Sequence, residues 1–301
     1  MNFVQAPETV RAYLAELRRA LKGAAPGLIS DALADCEEHL NMEIAQNPEM
    51  DEAAIMASVV ETYGSPQEIA EEYRDMEAAI STPFPQQTET TEARRRGFFS
   101  VISDPRTYGA LLYMLLSLVT GIFYFTWTVV GVTISLSTSI LIFGIFFALL
   151  FIGSIRLLSH VEGRIVEGLL GVRMPRRLPA PTATDESIWA RIKGALSDVR
   201  TWTSMLYLLL MLPLGIIYFV LGVVGLSVSL GVSGSSIYSL ITNESHVHID
   251  SVPWLQHLFS TAPGLVLLAF VGIVLFFLVL HMARIVGWLH GKIAELLLVR
   301  L

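Results

Sequence analysis

The chain has 301 residues, 53% of them hydrophobic and only 16% charged, with a formal net charge of −7 and a mean hydropathy of +0.59. Such a chain is too apolar for an ordinary water-soluble domain, and the bilayer is its expected environment. Charge is unevenly spread: residues 1–83 hold 16 acids and 5 bases while the rest carries a net +4, which argues against a phosphate-neutralising nucleic-acid face in the N-terminal part.

Four amphipathic helices are predicted in that acidic part. Val10, Leu14, Leu17 and Leu21 share one face, and Ile29, Leu33, Cys36, Leu40 and Ile44 share the next. Asp51 is placed to cap a third helix carrying Ile55, Val59 and Tyr63 and ended by Gly64. Ser65, Pro66 and Glu68 supply the cap, first residue and capping box of a fourth, with Ile69, Tyr73 and Met76 on its apolar face. The lone Cys36 leaves no intramolecular disulfide and reads as a small apolar core residue.

The stretches YLAELRRALKG, SDALADCEEHLNMEIAQ and SVVETYGSPQEIAEEYRDM resemble the HAAS-type helical signalling domain over about residues 10–77, GSPQEIAEE being the most specific part. Members of that type often occur beside PadR-type transcriptional regulators. The resemblance implies a cytosolic protein-interaction module whose partner is such a regulator or another cytosolic protein, with no direct nucleic-acid binding. Tyr63, Glu68, Glu72 and Tyr73 form the candidate partner surface; a solvated stabilising domain without a partner is the alternative. Residues 81–97 read as a flexible linker.

No charge occurs between Thr107 and Ile155 or between Thr201 and Asn243. At roughly 20 apolar residues per span, four membrane helices are predicted, near Tyr108–Val132, Ser139–Leu158, Trp202–Val228 and Ala262–Ala283. MNFVQAPETVRAY lacks the basic region and apolar core of a signal peptide, so the first span is expected to act as the targeting signal. Lysines and arginines cluster before the first span, between the second and third, and after the fourth, and are missing from 133–138 and 229–261. The positive-inside rule then puts both termini and the central connector in the cytoplasm, and the family resemblance implies a bacterial inner membrane.

The membrane part is duplicated. At an offset of 94, Ser103–Ser139 and Ser197–Ser233 agree at 19 of 37 positions, pairing Asp104 with Asp198, Arg106 with Arg200, Tyr113 with Tyr207, Gly121 with Gly215 and Tyr124 with Tyr218. The second span of each copy aligns at an offset of 128, so the second copy holds about 34 extra residues between its spans. Each SDxRT opens a two-helix hairpin, and two spans per copy make the repeat parallel. Asp104 and Asp198 are expected to cap their helices and Arg106 and Arg200 to snorkel to headgroups, the alternative being that this interface motif binds a ligand. SHVEGRIVEGLLGV and RIVGWLHGKIAELLLVRL, which follow the two hairpins, are expected either to lie in the membrane interface or to continue the preceding helix.

DPRTYGALLYMLLSLVTGIFYF, RLLSHVEGRIVEGLLGVRMP and LSDVRTWTSMLYLLLMLPLGIIYF resemble the bacterial Sensor domain family over roughly residues 98–300. These are four-span modules found alone or ahead of signalling domains such as histidine kinases. The fold expected is all-α: a small cytoplasmic bundle over 1–80, the linker, and a four-span domain over 98–301 built from parallel-repeat hairpins at 103–175 and 197–301.

His246, His248, Asp250 and His257 in the second copy's insertion are candidate metal ligands, because H-x-H spacing puts two imidazoles on one side of an extended segment; surface histidines are the plainer reading. His281, near the end of the fourth span, is expected to make a headgroup or backbone contact. No phosphate loop or nucleophile elbow is present, and no span carries a mid-membrane charge, so neither enzyme activity, a cofactor nor ion-coupled transport is expected. The reading is a membrane-bound regulator passing an envelope or lipid signal to a cytosolic partner; the alternative is an accessory or scaffold subunit of a transporter complex. Membrane lipids are expected partners and a homo-oligomer is left open. The acidic domain is expected to dock electrostatically on the basic Arg94, Arg95, Arg96 and central connector.

Overall fold

A computed structural model describes residues 7–79, 98–138, 142–175, 194, 196–242 and 261–299. Among them the only regular structure is helical: α1 Val10–Ala20, α2 Pro26–Gln46, α3 Glu52–Thr62, α4 Pro66–Ala79, a short 3-10 helix Phe98–Ser103, then α5 Pro105–Thr138, α6 Ile142–Leu170, α7 Val199–Thr242 and α8 Ala262–Leu298. The linker 81–97, with Arg94 to Arg96, and the histidine-bearing insertion, with His246, His248, Asp250 and His257, lie outside the described residues. Two compact units emerge, one from the described parts of residues 1–86, 141–204 and 294–301 and the other from those of 87–140 and 205–293.

The first unit contains the four-helix acidic bundle. Thr9 caps α1 by accepting the Ala12 N–H at 3.2 Å, and Arg18 and Arg19 occupy its last turn, where the dipole favours cations. Pro26 opens α2 at a position where no N–H is needed. The capping box of α4 forms as expected: Ser65 N–H donates to Glu68 Oε2 at 2.8 Å and Glu68 N–H to Ser65 Oγ at 3.3 Å. Asp51 sits at the N-cap of α3 without a side-chain cap bond; instead Glu52 Oε1 accepts the Val10 N–H at 3.0 Å and ties α3 to the start of α1. Tyr13, Leu17, Leu21, Ala32, Cys36, Leu40, Met56 and Ala70 form a closed core, in which the Tyr13 hydroxyl donates to Gly64 O at 2.9 Å. Met76, expected on the apolar face of α4, is half exposed.

Helices α5 to α8 are each long and apolar enough to cross a membrane. Val119, Phe146, Leu230 and Phe270 are more than half exposed, an arrangement that lipid tolerates and water does not. In the second unit the repeat gives a reciprocal crossing of α5 and α7. A Cβ on Gly121 would fall 2.5 Å from Met211 O, and one on Gly215 would collide with Ser117 O. Met211 is the repeat partner of Ser117, so each copy brings its glycine against the same backbone site of the other, as close helix contact in lipid requires.

The two amphipathic tails are not separate interfacial helices. α6 runs unbroken to Leu170 and α8 to Leu298, so the continuation reading is the one that holds. Their periodicity suits a helix in the interface, but no Gly–Pro break precedes either tail to end the spanning helix.

Candidate functional site

The end of α6 is a joint. Gly171, at a φ of 70°, donates its N–H to Glu167 O at 3.1 Å and turns the chain out of the helix. The next residues cross the first turn of α2 so closely that a Cβ on Gly27 would lie 2.7 Å from the Met174 carbonyl carbon and 2.8 Å from Arg173 O. Met174 is 1% exposed and also packs over Gly163 of α6.

Beside it, Arg173 is 4% exposed and reaches three carboxylates from three helices. Nη2 is 3.0 Å from Asp31 Oδ2 on α2, Nε 2.9 Å from Glu77 Oε1 on α4, and Nη1 3.6 Å from Glu167 Oε1 on α6; Nη1 also donates to Met174 O. Glu167 is held in place by Arg164 at 2.6 Å. A planar guanidinium with five N–H groups can serve several acceptors at once, which an ammonium cannot do in the same fixed geometry. The joint therefore clasps the acidic bundle to α6 through a desolvated cation rather than through diffuse attraction.

The interface motif does something the sequence did not reveal. Asp104 Oδ1 accepts the Arg106 N–H at 3.1 Å and Asp198 Oδ1 accepts the Arg200 N–H at 3.0 Å, so both acids cap their helices. Their second oxygens, however, face arginines of the other copy: Asp198 is 3.1 Å from Arg156 of α6, and Asp104 is 3.7 Å from Arg284 of α8. The hairpins thus exchange partners through these two pairs. His281 makes the backbone contact expected of it, with Nε2 3.2 Å from Phe98 O.

The second unit also holds a buried polar cluster missed at the sequence level. His290 of α8 is fully buried; its Nε2 is hydrogen-bonded to the Tyr113 hydroxyl and lies 2.9 Å from that of Tyr207. Tyr218 packs edge-on against the same ring. Tyr113 and Tyr207 are repeat partners, and at the offset of 128 His290 corresponds to Glu162, likewise fully buried. A polar residue at one matched position of both amphipathic tails was the available signal.

On the acidic bundle, the four candidate partner residues have different roles. Tyr63 stacks on His39 with ring centroids 4.3 Å apart, and both line a groove of about 230 Å³ between α2 and α3. Tyr73 is turned inward, its hydroxyl 2.7 Å from Asp35. Glu68 is committed to its capping box, and Glu72 is exposed. The groove uses the C-terminal half of α2 and the joint its first turns; Asp31 and Glu43 are separated by roughly 18 Å of helix. No group of metal-binding side chains occurs among the described residues.

Two family models match. One, described as HAAS, covers residues 12–72, and the other, described as Putative sensor, covers residues 113–298. No curated protein and no solved structure matches the chain. With the second match spanning more than half of its length, the chain belongs to the Sensor family and carries a HAAS domain ahead of four membrane-length helices.

Proposed function

We propose that this protein is a membrane-bound regulator in which the state of the four-helix module sets the position of the HAAS domain, and the HAAS domain recruits a cytosolic protein. The observation that carries the reading is the Arg173 joint: one buried cation links α2 and α4 of the bundle to α6, so a shift of α6 is felt directly by the bundle. Packed elements of this kind switch between discrete arrangements instead of deforming smoothly. The HAAS domain and connector are cytoplasmic in this reading, on the strength of the lysine and arginine distribution. The groove between α2 and α3, with Tyr63 at its edge, is the partner surface, and an exposed face of α4 at Glu72 extends it. A PadR-type regulator is the partner class that the domain's usual company suggests.

The test is recovery of the tagged chain from its native membranes in mild detergent, followed by mass spectrometry of co-purifying proteins, for the wild type and Arg173→Met. A soluble regulator whose recovery changes with the substitution supports the reading. Co-purification of membrane transporter subunits, unchanged by the substitution, would make the chain an accessory subunit instead.

A further inference from the structure

The middle of α6, the connector at Met174 and Pro175, the start of α7 and Leu298 of α8 line a cleft of about 90 Å³, several times what one water molecule needs. Its polar lining is Arg156, Ser159, His160, Arg200 and Ser204, with Asp198 at one side. Arg156 and Asp198 neutralise each other at 3.1 Å. Arg200 contributes its backbone N–H to Asp198, while its exposed guanidinium makes no ion pair among the described residues, so the described lining carries one cation beyond the Arg156–Asp198 pair. Ser159 is 8% exposed, and its Oγ is buried without a hydrogen-bond partner among the described residues. Such a hydroxyl is costly to leave unpaired, and a bound acceptor would satisfy it.

We infer that this cleft binds a phosphate monoanion. One net positive charge, two serine hydroxyls and an imidazole match the single charge and the oxygens of a phosphodiester. The location favours a lipid as its source over free phosphate. The uncharged run of α6 ends at Ile155, one residue before Arg156, and that of α7 starts at Thr201, one residue after Arg200, so the cleft lies where hydrocarbon gives way to headgroups. Leu157, Val161, Val199 and Trp202, close in sequence to the lining residues, carry large exposed apolar surface, which an acyl chain covers and a free ion leaves bare. Trp202 is anchored by its indole N–H to Leu196 O at 2.7 Å, as suits an interfacial tryptophan. Met174 and Pro175 also line the cleft, next to Arg173, so occupancy bears on the joint. This names the stimulus class and rests on the sensing role proposed above only for that last step.

The experiment is native mass spectrometry of the full chain in detergent, offered phosphatidylglycerol, phosphatidylcholine or inorganic phosphate, with Arg200→Gln and Ser159→Ala as variants and circular dichroism as the folding check. Neither replaced side chain has a hydrogen-bond partner to lose among the described residues. The wild type should retain phosphatidylglycerol over phosphatidylcholine, and Arg200→Gln should weaken that retention about fivefold with phosphatidylcholine unaffected. Phosphate adducts that respond to the variants without any lipid preference would assign the site to free phosphate. If the variants alter the binding of neither probe, the site is wrong. If they do, but lipid leaves the distance between bundle and α6 unchanged, the site stands and the sensing role fails.

Discussion

Arg173 joins three helices through one buried cation. Replacing it with methionine takes the shared cation from Asp31 and Glu167, both buried, though Glu167 keeps Arg164, and removing one member of a buried ion-pair set costs up to about 3–5 kcal/mol. The expected outcome is detachment of the bundle from the joint, read as faster amide exchange in the first turns of α2 while the bundle core stays protected. Arg173→Lys should restore protection only in part, since one ammonium cannot hold all three carboxylates in the same geometry. Gly27→Val should act similarly, by collision with the Arg173 and Met174 backbone. Burial pushes the Cys36 thiol up to about 11, so it should resist maleimide at pH 8 in the folded protein and react on denaturation. Hydrogen bonds from the Ser65 N–H and hydroxyl hold the Glu68 carboxyl below its ordinary range. Its contribution to α4 is therefore present above the unfolded carboxyl pKa and is lost as pH falls through the lower folded value; Ser65→Ala, which keeps the backbone N–H bond, should reduce that acid-side fraying in amide exchange, and Glu68→Gln should abolish its pH dependence.

Between elements, the reciprocal crossing of α5 and α7 makes Gly121 and Gly215 equivalent. Valine at either should destabilise the module by about 1–3 kcal/mol through overpacking, measured as a lower melting temperature in detergent, and the two single variants should behave alike. Much of this level was legible in the sequence. The capping box at Ser65 and Glu68, the apolar faces of α1 to α3, and the matched glycines and tyrosines all follow from local pattern or from the repeat itself. The exchange of Asp–Arg partners between hairpins was not, because an alignment shows which residues are equivalent but not which copy each one meets. Met76 was misplaced for a related reason: its periodicity fits the core face of α4, but the core closes at Ile69, Ala70 and Tyr73 before reaching it.

For the whole molecule, the sequence suggested attraction between an acidic domain and a basic surface, and net charge alone could not single out Arg173 from the arginines around it. The distinction has a consequence. A diffuse attraction weakens over a screening length of about 8 Å in physiological salt, whereas a cation with 4% exposure is screened far less. Docking should therefore persist in high salt. The proposed orientation predicts that cysteines at Ser137 and Ser251 are labelled from outside sealed cells and that one at Ser187 is protected; labelling of Ser187 would reverse it.

Arg173 fastens the HAAS domain to α6. Spin labels at Met42 of α2 and Val161 of α6, both exposed, placed in a Cys36→Ala background, test it by pulsed electron resonance distance measurement on the full chain. One narrow distance is expected in the wild type, the same in low and high salt, and a broad, longer distribution in Arg173→Met. A broad distribution already present in the wild type, or a narrow one that survives loss of Arg173, would contradict it.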